Sequence, residues 1–147
     1  MKLIASIFGV GYIRKGGGTV AAAFAVLIWW LLFRNSGTDF VIPLTLTLLV
    51  TALGIWAGNV VESDWGKDSY RVVIDEVAGM FVSVLFVPVD WKWLIIGFVL
   101  FRFFDIAKPL YIRRMEAFKG GWGVMLDDVL AGIYANIILQ FVILFAK

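Results

Sequence analysis

The chain has 147 residues, 62% of them hydrophobic, and a formal net charge of only +2; its mean hydropathy, +0.94, is far above that of an ordinary soluble domain. It has no cysteine and no histidine, which excludes disulfides, thiolate or imidazole nucleophiles and Cys- or His-ligated metals. The small net charge offers no nucleic-acid footprint, so any chemistry falls to carboxylates, Lys, Arg, hydroxyls, backbone groups and a hard, oxygen-loving metal.

The first residues, MKLIASIFGVGYIRK, have a basic start and a short apolar run but no small-residue cleavage pattern before the glycines. They read as part of the mature chain, a short interfacial or re-entrant segment. Gly16-Gly17-Gly18-Thr19 follows. Thr19 is expected to cap the next helix, with the amides around Gly18 offering an anion site.

Apolar stretches then run over roughly 17–34, 40–58, 71–89, 91–107 and 127–146. About 20 residues cross a hydrocarbon core of ~30 Å, and only helices satisfy their backbone there in so small a chain. The expected fold is an all-α integral membrane protein, one domain over 1–147, with about four to five transmembrane helices. No linker or low-complexity tract divides it. Oligomeric state is not legible.

Charge orients these spans. With the N-terminus inside, Lys2, Arg14, Lys15, Lys67, Arg71, Arg102, Lys108, Arg113, Arg114 and Lys119 fall on the cytoplasmic side, and Arg34, Lys92 and Lys147 outside. Short cytoplasmic loops carry such an excess. Trp29, Trp30, Trp91 and Trp93 then fall at the outer interface, and Trp56, Trp65 and Trp122 at the inner one. The same topology gathers Asp64, Asp68, Asp75, Glu76, Asp105, Asp127 and Asp128 inside and leaves Asp39 and Asp90 outside.

Asp75-Glu76 and Asp127-Asp128 each open a spanning segment. Acids at a helix mouth are costly in a bilayer and mark function by default; as adjacent pairs they suggest a divalent cation. A single acid is as well explained by the interface alone. Asp68, Arg71 and Asp75 share a helical face, whereas Glu76 points about 100° from Asp75. FRFFDIAKP spaces Arg102, Asp105 and Lys108 three apart, either as an ion-pair ladder or as a phosphate site with Asp105 on the metal and Lys108 or Arg102 on phosphate oxygens. Lys108 precedes Pro109, so a helix end is expected there. Residues 109–119 pattern as an amphipathic helix on the inner leaflet. DEVAGMF at 75–81 and DDVLAGIY at 127–134 echo one another, and Gly79 and Gly132 read as close helix-packing positions.

Three blocks, KDSYRVVIDEVAGM at 67–80, FRFFDIAKP at 101–109 and GGWGVMLDDVLAG at 120–132, together resemble the phosphatidylglycerophosphatase A family of bacterial membrane phosphatases. The likeness runs from about residue 9 to the C-terminus. The family's Pro-Gly-Thr stands here as Gly17-Gly18-Thr19, its following Gly-Ser as Ala21-Ala22, and an earlier Pro as Arg14. The resemblance implies Mg²⁺-dependent hydrolysis of the terminal phosphate of phosphatidylglycerophosphate at the cytoplasmic face of the bacterial inner membrane. It implies Asp75, Glu76, Asp105, Asp127 and Asp128 as catalytic and metal-binding acids, and Asp68 and Lys108 as further members. A metal-activated water is the simplest nucleophile, with Glu76 or Asp127 taking its proton.

Other classes fit less well. A small cation transporter or channel with an acidic inner vestibule needs polar residues to continue outward, yet only Asn136 and Gln140 interrupt the outer halves of the third and fifth spans. A CDP-alcohol phosphotransferase needs a long Asp-Gly…Ala-Arg…Gly…Asp…Asp spacing that is missing. A structural or assembly role would leave the two acid pairs unexplained.

Overall fold

The computed structural model describes residues 2–13, 16–37, 39–66, 72–109, 112–115, 117–118 and 120–146. The described residues form helices without strands: α1 (Lys2–Ala5), α2 (Gly17–Phe33), α3 (Val41–Trp65), α4 (Ile74–Val84), α5 (Trp91–Ala107), α6 (Ile112–Met115) and α7 (Gly121–Ala146).

α3 and α7 are long and apolar enough to cross a membrane. α2 and α5, with 17 residues each, reach about 25 Å at ~1.5 Å per residue. Large apolar side chains stay exposed on the outside of the bundle, among them Leu48, Leu49 and Trp56 on α3 and Ile137, Phe141 and Phe145 on α7. Outer faces this apolar suit a lipid surrounding.

The expected span over 71–89 is different. Among its described residues only Ile74–Val84 is helical, 11 residues, or about 16 Å, too short to cross alone. Nearly the whole helix is buried, packed against α2, α3, α5 and α7. A continuous apolar run does not distinguish a central helix from a lipid-facing one. α4 ends where Leu85 turns extended and Phe86 takes a left-handed φ of 64°. The carbonyls of Val82, Ser83 and Leu85 there accept from Asn136 Nδ2 of α7 at 3.1, 3.1 and 2.7 Å.

Glycines set how closely α7 approaches its neighbours. A Cβ on Gly58 would lie 2.8 Å from Gly121 Cα, and one on Gly79 2.7 Å from the Asp128 carbonyl oxygen. Large side chains fill the layer behind: Met80, Phe81 and Val84 of α4, Trp29 of α2, Leu94 and Phe101 of α5. Trp29 is therefore a core residue against Phe33 and Phe81, not part of an interfacial belt. Trp30 does stack near Trp91 and carries the Arg34 guanidinium.

The N-terminal segment is one turn of helix and a 3-10 turn over Val10–Tyr12. Its Ala5 carbonyl accepts from the Val73 amide at 2.9 Å, and Lys2 pairs with Asp64 at 3.3 Å, which fastens it over the end of α3 and the start of α4. Of the amphipathic helix expected over 109–119, the described residues hold the single turn α6, with Ile112 fully buried and Phe118 exposed. Leu110, Tyr111, Glu116 and Lys119 lie outside the described residues, as do Arg14, Lys15, Lys67 and Arg71.

Candidate active site

The acids meet because the N-terminal turns of α4 and α7 and the C-terminal turn of α5 lie together. Asp75 and Glu76 stand in the first turn of α4, where the helix dipole favours negative charge. Asp105 sits in the last turn of α5. Asp127 and Asp128 stand on the second turn of α7, because that helix begins at Gly121 rather than at the acids. The Gly121 amide donates to Asn59 Oδ1 of α3 at 2.7 Å, so Asn59 satisfies one of the unpaired amides of that helix start.

Asp75, Asp105, Asp127 and Asp128 are buried, and Glu76 is partly so. Two sets of carboxylates each offer ligand oxygens within 4.8 Å of one another: Asp75, Asp127 and Asp128, and Glu76, Asp105 and Asp128. Asp128 belongs to both. Two cations lie among them. Arg102 Nη1 donates to Glu76 Oε2 at 2.8 Å and also to Asp105 Oδ2. Lys108 Nζ donates to Asp127 Oδ2 at 2.5 Å, while Asp127 Oδ1 accepts from the Asp128 amide at 2.8 Å.

Lys108 closes α5 in a left-handed conformation, φ 47°. The pre-proline bias against helix ends α5 here, and a non-glycine residue at such φ is costly enough to be informative beside a site. Gly18, in the first turn of α2, closes the other side: a Cβ there would meet Glu76 Oε1 at 2.6 Å and Arg102 Nη1 at 3.4 Å.

The Mg²⁺ implied by the resemblance suits this donor set. Every available ligand atom is a carboxylate oxygen, the type that a small hard cation takes. Asp75 Oδ1 and Asp128 Oδ2 are buried without a hydrogen-bond partner, an expensive condition for an anion unless a cation meets it.

Of the residues singled out from sequence, Asp75, Glu76, Arg102, Asp105, Lys108, Asp127, Asp128 and Gly18 come together. Thr19 does not cap α2; Gly16 holds that position with a left-handed φ of 78°, and Thr19 is exposed in the first turn. Glycine takes this positive φ at no steric cost, so the helix starts ahead of Thr19, at Gly17. Asp68 lies outside the described residues. At the other end, Asp90 caps α5 by accepting from the Lys92 amide, and Asp39 Oδ1 accepts from the amide of Val41, the first residue of α3. Asn59 was not singled out; its signal is a lone amide in an apolar span. A cation pathway is not favoured, since Met80, Phe81, Val84, Leu94 and Leu139 are buried beyond the acids.

Residues 3–143 match the family model described as Phosphatidylglycerophosphatase A. The chain is 46% identical to a protein of Bacteroides thetaiotaomicron named "Putative phosphatidylinositol-3-phosphatase", across 93% of this chain and 89% of that one. It is 37% identical to a phosphatidylglycerophosphatase A of Haemophilus influenzae, across 95% and 86%, and 35% identical to one of Escherichia coli, across 95% and 81%. No solved structure matches it. With its three acid-bearing blocks inside the matched span, this chain belongs to the phosphatidylglycerophosphatase A family.

Proposed function

We infer that the protein removes the terminal phosphate of phosphatidylglycerophosphate, giving phosphatidylglycerol and inorganic phosphate. The observation that carries this reading is the buried carboxylate cluster with Arg102 and Lys108 set into it, in a chain of this family. The whole of 1–147 acts as one membrane-embedded lipid phosphatase domain. α2, α3, α5 and α7 cross the bacterial inner membrane around the central α4, with the acidic end on the cytoplasmic side. The excess of Lys and Arg at that end supports the orientation. Both acyl chains stay in the inner leaflet while the glycerol phosphate head reaches the acids.

Asp75, Asp105, Asp127, Asp128 and Glu76 would hold Mg²⁺, with Asp68 as a further member. Bound there, the ion supplies Lewis-acid charge neutralisation for the phosphoryl oxygens and raises the acidity of a water. Arg102 and Lys108 hold the phosphate, and the amides around Gly18 add anion contacts; Thr19 is a weaker member of this set because it is exposed.

The proton balance closes within one pair. A water oxygen bonds to phosphorus as the phosphorus–glycerol oxygen bond breaks. Asp127 takes the proton lost by the water, and the Lys108 ammonium gives one to the departing glycerol oxygen. Transfer across the 2.5 Å Asp127–Lys108 hydrogen bond returns both groups to their starting states. Asp127 is assigned this role rather than Glu76 because its Oδ2 lies against Lys108, the group that exchanges the proton with it.

A second head group, that of a phosphoinositide, has a specific observation behind it, the 46% identical relative named "Putative phosphatidylinositol-3-phosphatase". Phosphate release by the purified protein in detergent, from each lipid with and without Mg²⁺, tests both. Mg²⁺-dependent release faster from phosphatidylglycerophosphate supports the main reading. Faster release from the phosphoinositide transfers the same chemistry to that head group, and none from either lipid by folded protein overturns the phosphatase reading.

A further inference from the structure

The two carboxylate sets share one residue. Asp75, Asp127 and Asp128 form one, and Glu76, Asp105 and Asp128 the other. Asp128 is 2% exposed, and its Oδ2 is buried without a hydrogen-bond partner. Asp75, on the first set only, is 8% exposed and likewise keeps Oδ1 unpartnered. In the second set, Arg102 engages Glu76 through Oε2 and Asp105 through Oδ2, which leaves one oxygen of each outside the guanidinium's hold.

Charge separates a one-ion site from a two-ion site. Five carboxylates face Arg102 and Lys108, a formal deficit of three positive charges. One divalent ion leaves the pocket negative by one, a poor host for a phosphate monoester that itself carries about −1.5 to −2. Two leave it positive by one, the sign that such a group needs. Buried anions persist only when paired or bound to metal.

We propose that the site holds two divalent cations bridged by Asp128, the first on Asp75 and Asp128 with Asp127 completing the set, the second on Glu76, Asp105 and Asp128. Paired ions in phosphoryl-transfer sites lie about 3.5–4 Å apart, a separation that one shared carboxylate sets. The proposal rests on the phosphatase reading for the identity of the anion, but its test does not.

The experiment is a Mn²⁺ titration of the metal-stripped full chain in detergent micelles, with bound ion counted by equilibrium dialysis and its environment read by electron paramagnetic resonance. The expected result is two Mn²⁺ per chain with a spin-coupled spectrum. Glu76→Gln is expected to bind one Mn²⁺ and give the uncoupled six-line spectrum. Asp128→Asn is expected to lose the coupling and to weaken both ions by more than about tenfold. Each variant is first checked for the wild-type circular dichroism and elution volume; should Asp128→Asn fail there, Glu76→Gln and Asp105→Asn carry the test, each expected to drop one ion. Saturation at one ion per chain, or two ions without coupling, overturns the proposal. Phosphate release is measured in parallel with Mg²⁺. One ion with release retires the second site and keeps the phosphatase; two coupled ions without release do the reverse.

Discussion

Gly79 and Gly132 face each other where α4 crosses α7: a Cβ on Gly132 would run into the Gly79 carbonyl oxygen, and one on Gly79 would lie 2.7 Å from the carbonyl oxygen of Asp128. Ala78 and Ala131 beside them are fully buried. The crossing lies about one helical turn from both acid pairs, so the small residues that let the helices touch also bring Asp75 within reach of Asp128. Gly132→Ala is expected to cost about 1–3 kcal/mol through overpacking and to lower turnover together with melting temperature. Wild-type values for both would show that the helices do not meet at this separation.

Asp127→Asn keeps the shape of the side chain but removes the proton acceptor. Phosphate release is expected to fall by about 10²–10⁴-fold in protein that still folds, with a lower melting temperature because Lys108 loses its charged partner. Asp39→Asn, at the far end, is the control and should retain turnover. Full activity in Asp127→Asn would remove that acid from the proton pathway.

Arg102 joins α5 to α4 through Glu76 and, on its own helix, Asp105. Arg102→Gln leaves two carboxylates without their cation and is expected to cost about 3–5 kcal/mol, the range for breaking a buried pair. Adding Glu76→Gln should recover much of that loss without restoring turnover. Thermal unfolding of the single and double variants reads the difference; strictly additive losses would mean that the two side chains do not interact.

Asn136 carries the opposite end of the bundle. Asn136→Leu frees the carbonyls of Val82, Ser83 and Leu85 in apolar surroundings and is expected to cost about 1–3 kcal/mol. Its residual activity in folded protein should stay near wild type, since the acids lie at the other end of α4. A variant as stable as the parent would assign those carbonyls another partner.

Much of the chemistry was legible in the residues alone. The absence of His and Cys, the two acid pairs and the Arg102–Asp105–Lys108 ladder named nearly every side chain that meets in the site, because residue type limits what a group can ligate or protonate. Lys108-Pro109 marked the end of α5 through a local steric conflict. The doubled Ala-Gly pattern marked a close crossing, although not which helices cross.

Other features were hidden for physical reasons. The apolar run over 71–89 has the composition of a membrane span, but composition does not say whether lipid or protein covers it; packing on all sides made α4 a buried helix of 11 residues. Trp29 looked interfacial by position and became core because Phe33 and Phe81 close over it. α7 begins at Gly121, ahead of its acids, because Asn59 of α3, 62 positions away, accepts the Gly121 amide.

The sequence by itself determined the helical, strongly apolar character of this protein and the carboxylate chemistry open to it, since both follow from side-chain type and local periodicity. Only the tertiary structure decided that Asp128 belongs to two ligand sets, that Arg102 bridges Glu76 and Asp105, and that Gly16 rather than Thr19 caps α2. Those depend on distances of a few ångströms between residues far apart in the chain, which the close approach of glycine-bearing helix faces fixes and no local pattern encodes.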